Sequence, residues 1–367
     1  MTGNKPKINV LVLFGGQSGE HDVSLRSAQT VIGALDPERY TVRQVGITRE
    51  GGWIASGDPM AALTATSPLF QIGDGQAETE EVHAEPGLPM LVRDSVDVVF
   101  PVLHGPMGED GTIQGMLELA GIPYVGSGVL GSAVAMDKAM TKMVLTQAGI
   151  PQAGWALVNR AEWESDPDQV ATAIESRIGV PCFVKPANMG SSVGVSKAHE
   201  AAELRAAIAL ALEYDRRVVV EEAIDGRELE MSVLGNEQPI ASVAGEVVPC
   251  NEFYDFNAKY VDDDSDLIIP ADVSPEKLSE MQEVAIRSFR ALDLAGMARV
   301  DFFLERGTDR LVLNEVNTIP GFTSISMYPM LWAASGIPLP ELVDRLIELA
   351  VDRHSQPRRV IQAQKST

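Results

Sequence analysis

Apolar residues fill the stretch from Ile8 to Phe14 almost without a break, and Gly15–Gly16 then lead into charged Glu20, His21 and Asp22. That pattern predicts a buried strand and its turn in place of an export signal. Helical spacing follows over 22–34 (Val23, Ala28, Val31, Ile32) and ends at Gly33. A strand is expected near 42–47, loose and variable chain over 57–92, a strand over 96–103 and a helix over 111–120. This alternation predicts a small parallel α/β domain over the first 130 residues.

A single helix over 132–148, stopped by Gly149 and Pro151, opens a second unit. It continues with a strand at 182–185, a glycine-rich loop at 190–194, a helix at 201–212 and a strand at 217–222. From about Arg227 the texture changes to long strands, at 229–234, 240–248, 297–304 and 311–317, interrupted by one helix at 276–291. The chain closes with a helix from Leu339 to about Ala350 and a polar tail containing Arg358 and Arg359, expected to fray. There is no internal repeat. Three domains are expected, over 1–130, 131–224 and 225–355, with a tail over 356–367.

Composition narrows the partners. At ~150 residues per domain the length suits two or three domains, and no run approaches the roughly 18 apolar residues of a membrane span. With 29 Lys and Arg against 52 Asp and Glu, the net charge is −23. Such a chain repels nucleic acid and anionic membrane, having no spare cations to displace phosphate counterions. A polyphosphate can still bind where lysines, arginines and a divalent metal are placed locally, so cations in unusual positions are informative. Cys182 and Cys250 form no CxxC pair, which predicts reduced thiols and a cytoplasmic location.

Two motifs are decoys. Gly126-Ser-Gly128-Val-Leu-Gly131 matches GxGxxG, but it lacks the acidic ribose partner about 20 residues on, and a plain turn between domains is favoured over NAD binding. Gly190-Ser-Ser192-Val-Gly194 matches the GxSxG of serine hydrolases. That elbow needs a strand straight in and a helix straight out, whereas Pro186 breaks the approach and extended chain is expected at 193–195. Neither a Walker A loop nor an HExxH motif is present.

The chemistry concentrates over 297–321, read as two strands joined by a turn at 306–309. Arg299 and Asp301 are two apart and share one face; Glu315 and Asn317 do likewise. Antiparallel pairing can bring Asp301, Glu315 and Asn317 together as a hard all-oxygen set suited to Mg²⁺ held jointly with phosphate. Lys185 ends a buried strand ahead of a loop of small residues whose backbone N–H groups can hold phosphates. Lys138 is a second candidate cation. Residues 228–276 hold twelve Asp or Glu and a single Lys or Arg, Lys259. Its neighbours Phe253, Tyr254, Phe256 and Tyr260 suit a lid that excludes water.

The chain resembles the D-alanine–D-alanine ligase family of the ATP-grasp superfamily over nearly its whole length. The resemblance rests on GGQSGEHDVSL at 15–25, LHGPMGEDGTIQG at 103–115, KPANMGSSVGV at 185–195, FYDFNAKY at 253–260, and RVDFF with NEVNTIPGFTSISMYP at 299–329. It implies an α/β fold (α+β ATP-grasp) with the N-terminal domain followed by a two-part ATP-grasp module. It also implies a cytoplasmic homodimer that acts on ATP and D-alanine, with two Mg²⁺ ions (Mn²⁺ as a substitute), in peptidoglycan synthesis. On this resemblance Lys138 and Lys185 contact phosphates, with Ser191 and Ser192 in the same loop. Glu221, Glu222 and Ile224 lie along the strand facing adenine, Glu228 bonds the ribose and Phe303 packs on the base. Many relatives have lysine where this chain has Glu222. Asp301, Glu315 and Asn317 match the metal ligands.

The resemblance further implies that Glu20 receives the ammonium of the first D-alanine, near His104. Glu20, Ser191 and Tyr260 are expected to join by hydrogen bonds under a closed lid, which also carries Lys259. Ser326 holds the second carboxylate, and the Gly321 N–H and Arg299 face an oxyanion. Arg299→Ala is accordingly expected to abolish ligation and leave ATP binding nearly intact. Relatives that make D-alanyl-D-lactate typically place a histidine in this lid, so Tyr260 favours an amine as second substrate over D-lactate. D-lactate or D-serine ligation by the same fold is the alternative.

Overall fold

A computed structural model describes residues 6–65, 67, 85–86, 96–190, 192–248 and 266–355. Its first sheet comprises β1 (Ile8–Gly15), β2 (Tyr40–Ile47), β3 (Gly52–Ile54), β4 (Glu85–Pro86) and β5 (Val98–Val102), in the order β4-β3-β2-β1-β5. Between β2 and the edge strand β5, β1 runs parallel to both. Val10, Val12 and Phe14 of β1 enter one core, shared with Leu25, Ala28 and Val31 of α1 (His21–Ala34). Leu11 and Leu13 enter another, shared with Ile113 and Leu117 of α3 (Thr112–Ala120). Burial on both faces is what the unbroken apolar run encodes. Within the stretch expected to be loose, α2 (Pro59–Thr64) forms because the Asp58 side chain accepts from the Ala61 N–H at 3.0 Å, with proline at the first turn.

The helix expected over 132–148 is two helices, α4 (Val129–Met136) and α5 (Lys138–Gln147). Asp137 separates them with extended backbone (φ −87°, ψ 103°), and its side chain accepts from the Met140 N–H at 3.0 Å, so it caps the second helix. The break frees the Lys138 N–H to donate to the Ala187 carbonyl at 2.8 Å, which ties the start of α5 to the end of the strand bearing Lys185. An antiparallel sheet follows, in the order β6-β9-β7-β8, from β6 (Trp155–Asn159), β7 (Cys182–Pro186), β8 (Ser196–Ala198) and β9 (Arg217–Glu222). It is backed by α7 (Pro167–Ile178) and α8 (Ala201–Tyr214), with the short α6 (Arg160–Ser165) between β6 and α7. A turn, not extended chain, occupies 192–194.

The third sheet is also antiparallel, in the order β12-β11-β10-β13-β14. Its strands are β10 (Gly226–Gly235), β11 (Ile240–Val248), β12 (Asp266–Ile268), β13 (Gly296–Glu305) and β14 (Leu311–Asn317). One face packs Leu229, Met231, Val300 and Phe302 against Met281, Val284 and Phe289 of α9 (Pro275–Ala291). The other face carries the charges described below. Two helices close the described chain, α10 (Met327–Ala334) and α11 (Leu339–Ser355). Leu342, Val343, Leu346 and Ile347 of α11 join Val10 and Phe100 in the core of the first sheet. The amphipathic stripe of α11 covers a β1 face that α1 alone leaves uncovered. Among the described residues no helix is long and apolar enough to cross a membrane.

Candidate active site

The charged face of the third sheet forms the floor of a cleft of about 570 Å³, whose opposite wall is the second sheet and whose end is closed by loops of the first. Strand alternation builds this floor. On β13, Val300, Phe302 and Leu304 go into the core, so Arg299, Asp301 and Phe303 face the cleft. The pairing register sets Glu230 of β10 opposite Asp301, and Asp301 opposite Glu315 of β14, so three carboxylates stand in one row. Arg299 and Asn317 are opposite each other in the next row, and Glu228 is opposite Phe303.

Like charges directly opposite one another repel, and Arg299 answers that repulsion. Its Nε lies 3.0 Å from Glu230 Oε2 and 2.7 Å from Asp301 Oδ1, and its Nη2 lies 2.7 Å from Asp301 Oδ2. Burial works against the charge, but Asp301 and Glu230 together hold the guanidinium well above its ordinary pKa. Arg299 thus has a second duty beyond the oxyanion role expected of it. It is the counter-ion of the floor, so removing it would strand two buried carboxylates as well as change chemistry.

A register shift between Asp301 and Phe302 leaves Asn314 as an extra residue on β14. The shift resets the alternation, so Asn314, Glu315 and Asn317 all line the cleft. Asn317 Oδ1 accepts from the Ile319 N–H at 3.1 Å. Among the described residues no three His, Cys, Asp and Glu side chains are drawn together as a ready cation cage; the expected set takes its third oxygen from an amide. The donor chemistry fits a hard divalent ion: carboxylate and amide oxygens, with negative charge in excess of the single Arg299 on this part of the floor.

The facing wall carries the cations. Lys138 Nζ donates to the Met189 carbonyl of the glycine-rich loop at 2.6 Å. Lys185 Nζ lies 3.1 Å from Glu221 Oε2 and 3.4 Å from Asn314 Oδ1, so it already spans from one sheet to the other. Burial opposes the charge on Lys185, yet Glu221 raises its pKa; burial likewise opposes the charge on Glu221, yet Lys185 and Lys142 lower its pKa. Glu222 takes up Arg310 of the β13–β14 turn at 3.0 Å. Ile224, Glu228 and Phe303 line the same end of the cleft, and Ser192, with φ +58°, lines the loop side.

At the closed end, Glu20 is buried with its carboxylate against two glycines. A Cβ at Gly105 would lie 3.0 Å from Glu20 Oε2, and one at Gly190 would lie 3.3 Å from it. Only bare backbone lets the first-domain loop and the phosphate-type loop approach that oxygen together. His104 stands behind this wall: its Nδ1 faces the Ile319 carbonyl at 2.9 Å and its Nε2 lies 3.4 Å from Ser27 Oγ. Burial lowers its pKa. It is a strut that fixes the loop after β14; it is close enough to Glu20 for that carboxylate to oppose the lowering, and it is not itself among the residues that line the cleft. Gly321 and Ser326 do line the cleft; a Cβ at Gly321 would come within 2.8 Å of Ser326 Oγ, which accepts from the Thr323 N–H at 3.0 Å. Ser191, Lys259 and Tyr260 lie outside the described residues.

Of the lining residues not singled out in the sequence, four bear on the charge and geometry described above. Lys142 was legible as the residue four after Lys138 on one helix face, and Glu230 as the residue two after Glu228. Glu109 sits inside the 103–115 motif. Its carboxylate accepts from the Gly105 N–H at 2.7 Å and the Ile319 N–H at 3.3 Å, and burial, with Glu20 adding to it, pushes its pKa up to about 8. Asn314 had no sequence signal, because the bulge that exposes it is a property of strand pairing.

Two family models match the chain, "D-ala D-ala ligase N-terminus" over residues 9–127 and "D-ala D-ala ligase C-terminus" over residues 144–348. A D-alanine–D-alanine ligase of Ruminiclostridium cellulolyticum is 50% identical, covering 96% of this chain and 98% of that protein. One from Heliobacterium modesticaldum is 48% identical over 96% and 97%. Among solved structures, the D-alanine–D-alanine ligase of Coxiella burnetii superposes with a TM-score of 0.79 at 37% identity, covering 95% of each chain. The VanG D-Ala:D-Ser ligase of Enterococcus faecalis superposes with a TM-score of 0.79 at 36% identity, over 94% of this chain and 100% of that one. With both family models matched in order along one cleft-bearing fold, the chain belongs to the D-alanine–D-alanine ligase family.

Proposed function

We propose that this chain joins two D-alanine molecules into D-alanyl-D-alanine, with ATP converted to ADP and phosphate, as a cytoplasmic homodimer serving peptidoglycan synthesis. The observation that carries the reading is the carboxylate row Glu230–Asp301–Glu315 with Asn317, facing Lys185 and Lys138 across one cleft. An acidic floor opposite a basic wall suits a metal–polyphosphate; it suits neither a bare anion nor a bare cation.

A carboxylate is a poor electrophile at neutral pH, and transfer of the γ-phosphoryl group to the first D-alanine makes it an acyl phosphate. Catalysis of such a transfer is mainly positioning and charge neutralisation. Mg²⁺, or Mn²⁺, held by Asp301, Glu315 and Asn317 would supply neutralisation of charge on the transferring group. Lys138 and Lys185 bind the polyphosphate from the opposite wall, with the backbone around Ser191 and Ser192. Glu221, Glu222, Ile224, Glu228 and Phe303 form the nucleoside end. Glu20 orients the first ammonium and Ser326 the second carboxylate. The second amine then attacks the carbonyl carbon of the acyl phosphate, the Gly321 N–H with Arg299 stabilises the oxyanion, and the adduct collapses with loss of the nitrogen's proton and cleavage of the C–O bond to phosphate, leaving the dipeptide; loss of one oxyanion donor typically costs about 3 kcal/mol in the barrier. Lys259 and Tyr260 are assigned to the lid that keeps water from the acyl phosphate.

The test is ADP release with and without D-alanine, with mass-spectrometric identification of products when D-alanine, D-lactate or D-serine is the second acceptor. D-alanine-dependent ADP release and a predominance of D-alanyl-D-alanine are expected. Preferential formation of D-alanyl-D-lactate or D-alanyl-D-serine at neutral pH would overturn the acceptor assignment.

A further inference from the structure

Helix α5 carries Lys138 and Lys142 four residues apart, a spacing that puts both on one face. Lys138 reaches outward to the loop carbonyl of Met189. Lys142 goes inward: its side chain is 3% exposed, and its ammonium lies 3.3 Å from Glu221 Oε1. The other oxygen of that carboxylate takes Lys185 at 3.1 Å, and Lys185 is more open, at 14% side-chain exposure. One buried carboxylate is therefore shared by two amino groups, one on each oxygen; burial lowers the pKa of Lys142 and Glu221 works against that, and with both lysines charged the trio has one positive charge in excess.

This arrangement answers a problem that a single lysine could not. Whatever Lys185 gives to phosphate oxygens it withdraws from Glu221, and a buried carboxylate stripped of its partner is strongly unfavourable. With Lys185 as its sole counter-ion, Glu221 would hold that lysine captive. Lys142 sits deeper, on a helix whose start is tied to Ala187, and stays with the carboxylate when Lys185 moves.

We propose that Lys142 is a positioning residue for nucleotide binding: a standing counter-ion that keeps Glu221 charged and in place, so that Lys185 can transfer to the polyphosphate. This rests on the nucleotide reading of the cleft given above. It assigns Lys142 no contact with substrate.

Calorimetric titration of the full chain with ADP and with adenosine tests it. Lys142→Met is expected to weaken ADP about tenfold or more, as one buried charge partner is lost, with adenosine, which carries no phosphate, within about twofold of wild type. The double variant Lys142→Met/Glu221→Gln removes the carboxylate that captures Lys185 and restores the single surplus charge. Because Glu221 also belongs to the nucleoside end, the double variant is read as its ratio of ADP to adenosine affinity, which is expected to return to within about threefold of wild type. Lys142→Arg keeps the charge and is expected to bind ADP like wild type, so the proposal stays testable even where Lys142→Met fails to fold. Three results would overturn it: unchanged ADP affinity in Lys142→Met, equal losses for ADP and adenosine, or a double variant no better than the single. Because affinity is read without ligation, a wild-type chain that binds ADP yet makes no dipeptide overturns the proposed function alone. One that binds no ADP overturns both.

Discussion

Strands β1 and β13 are each second from the edge of a five-stranded sheet and are built on opposite rules. Five successive residues of β1, Val10 to Phe14, are buried and apolar, feeding two cores. On β13 the apolar core residues alternate, and the positions between them carry Arg299, Asp301 and Phe303. A parallel strand covered by helices on both faces has no room for charge. An antiparallel strand covered on one face can offer the other to a ligand, provided its charges are balanced. The contrast teaches where function can sit in this molecule: the first sheet holds the wall in place, and the third bears the chemistry.

Substitutions can break or sharpen that contrast. The largest effect is expected from Arg299→Met, which leaves Glu230 and Asp301 uncompensated; stability should fall by about 3–5 kcal/mol in denaturant unfolding, with ligation abolished. Intact stability there would show that the acidic row needs no counter-ion. Leu13→Ala, in the all-apolar strand, should cost about 3 kcal/mol of stability and leave ADP affinity within about twofold in calorimetry; a specific loss of ADP binding would place β1 in the site after all. Glu315→Gln keeps the shape and removes one charge from the floor. It should raise the Mg²⁺ concentration for half-maximal ligation by about tenfold, roughly 1.4 kcal/mol, and an unchanged metal titration would remove Glu315 from the ligand set. Smallest of all, Arg310→Ala breaks a pair with Glu222 across the cleft and one with Glu305 on its own hairpin, all between side chains that are 24% to 44% exposed. Each such pair is worth about 0–1 kcal/mol, and a shift in thermal unfolding beyond their sum would mark the one with Glu222 as a true latch across the cleft.

Much of the site was readable because strand periodicity is rigid. Arg299 and Asp301, or Glu315 and Asn317, can only share a face when they are two apart, and the expected strands over 240–248 and 311–317 are those observed. Helix boundaries were less readable. Asp137 is an ordinary polar residue in a helical pattern until its carboxylate caps α5, and the resulting break is what aims Lys138 at the glycine-rich loop. The region over 155–178 carried no expectation at all, although Asn159 and Glu162 form a capping box and Asp166 caps α7.

By itself the chain determined which residues could be buried, which could share a face and which charges were too few to be incidental, because those properties depend on local period and side-chain type. Tertiary structure decided the partners. It placed Glu230 and Glu315 on either side of Asp301, bulged Asn314 into the cleft, set α11 beneath the first sheet, and gave one buried carboxylate, Glu221, two lysines. The reason is physical: register, bulges and burial are set by pairing between segments far apart in sequence, and the cost of a buried charge exists only once the surrounding chain has excluded water.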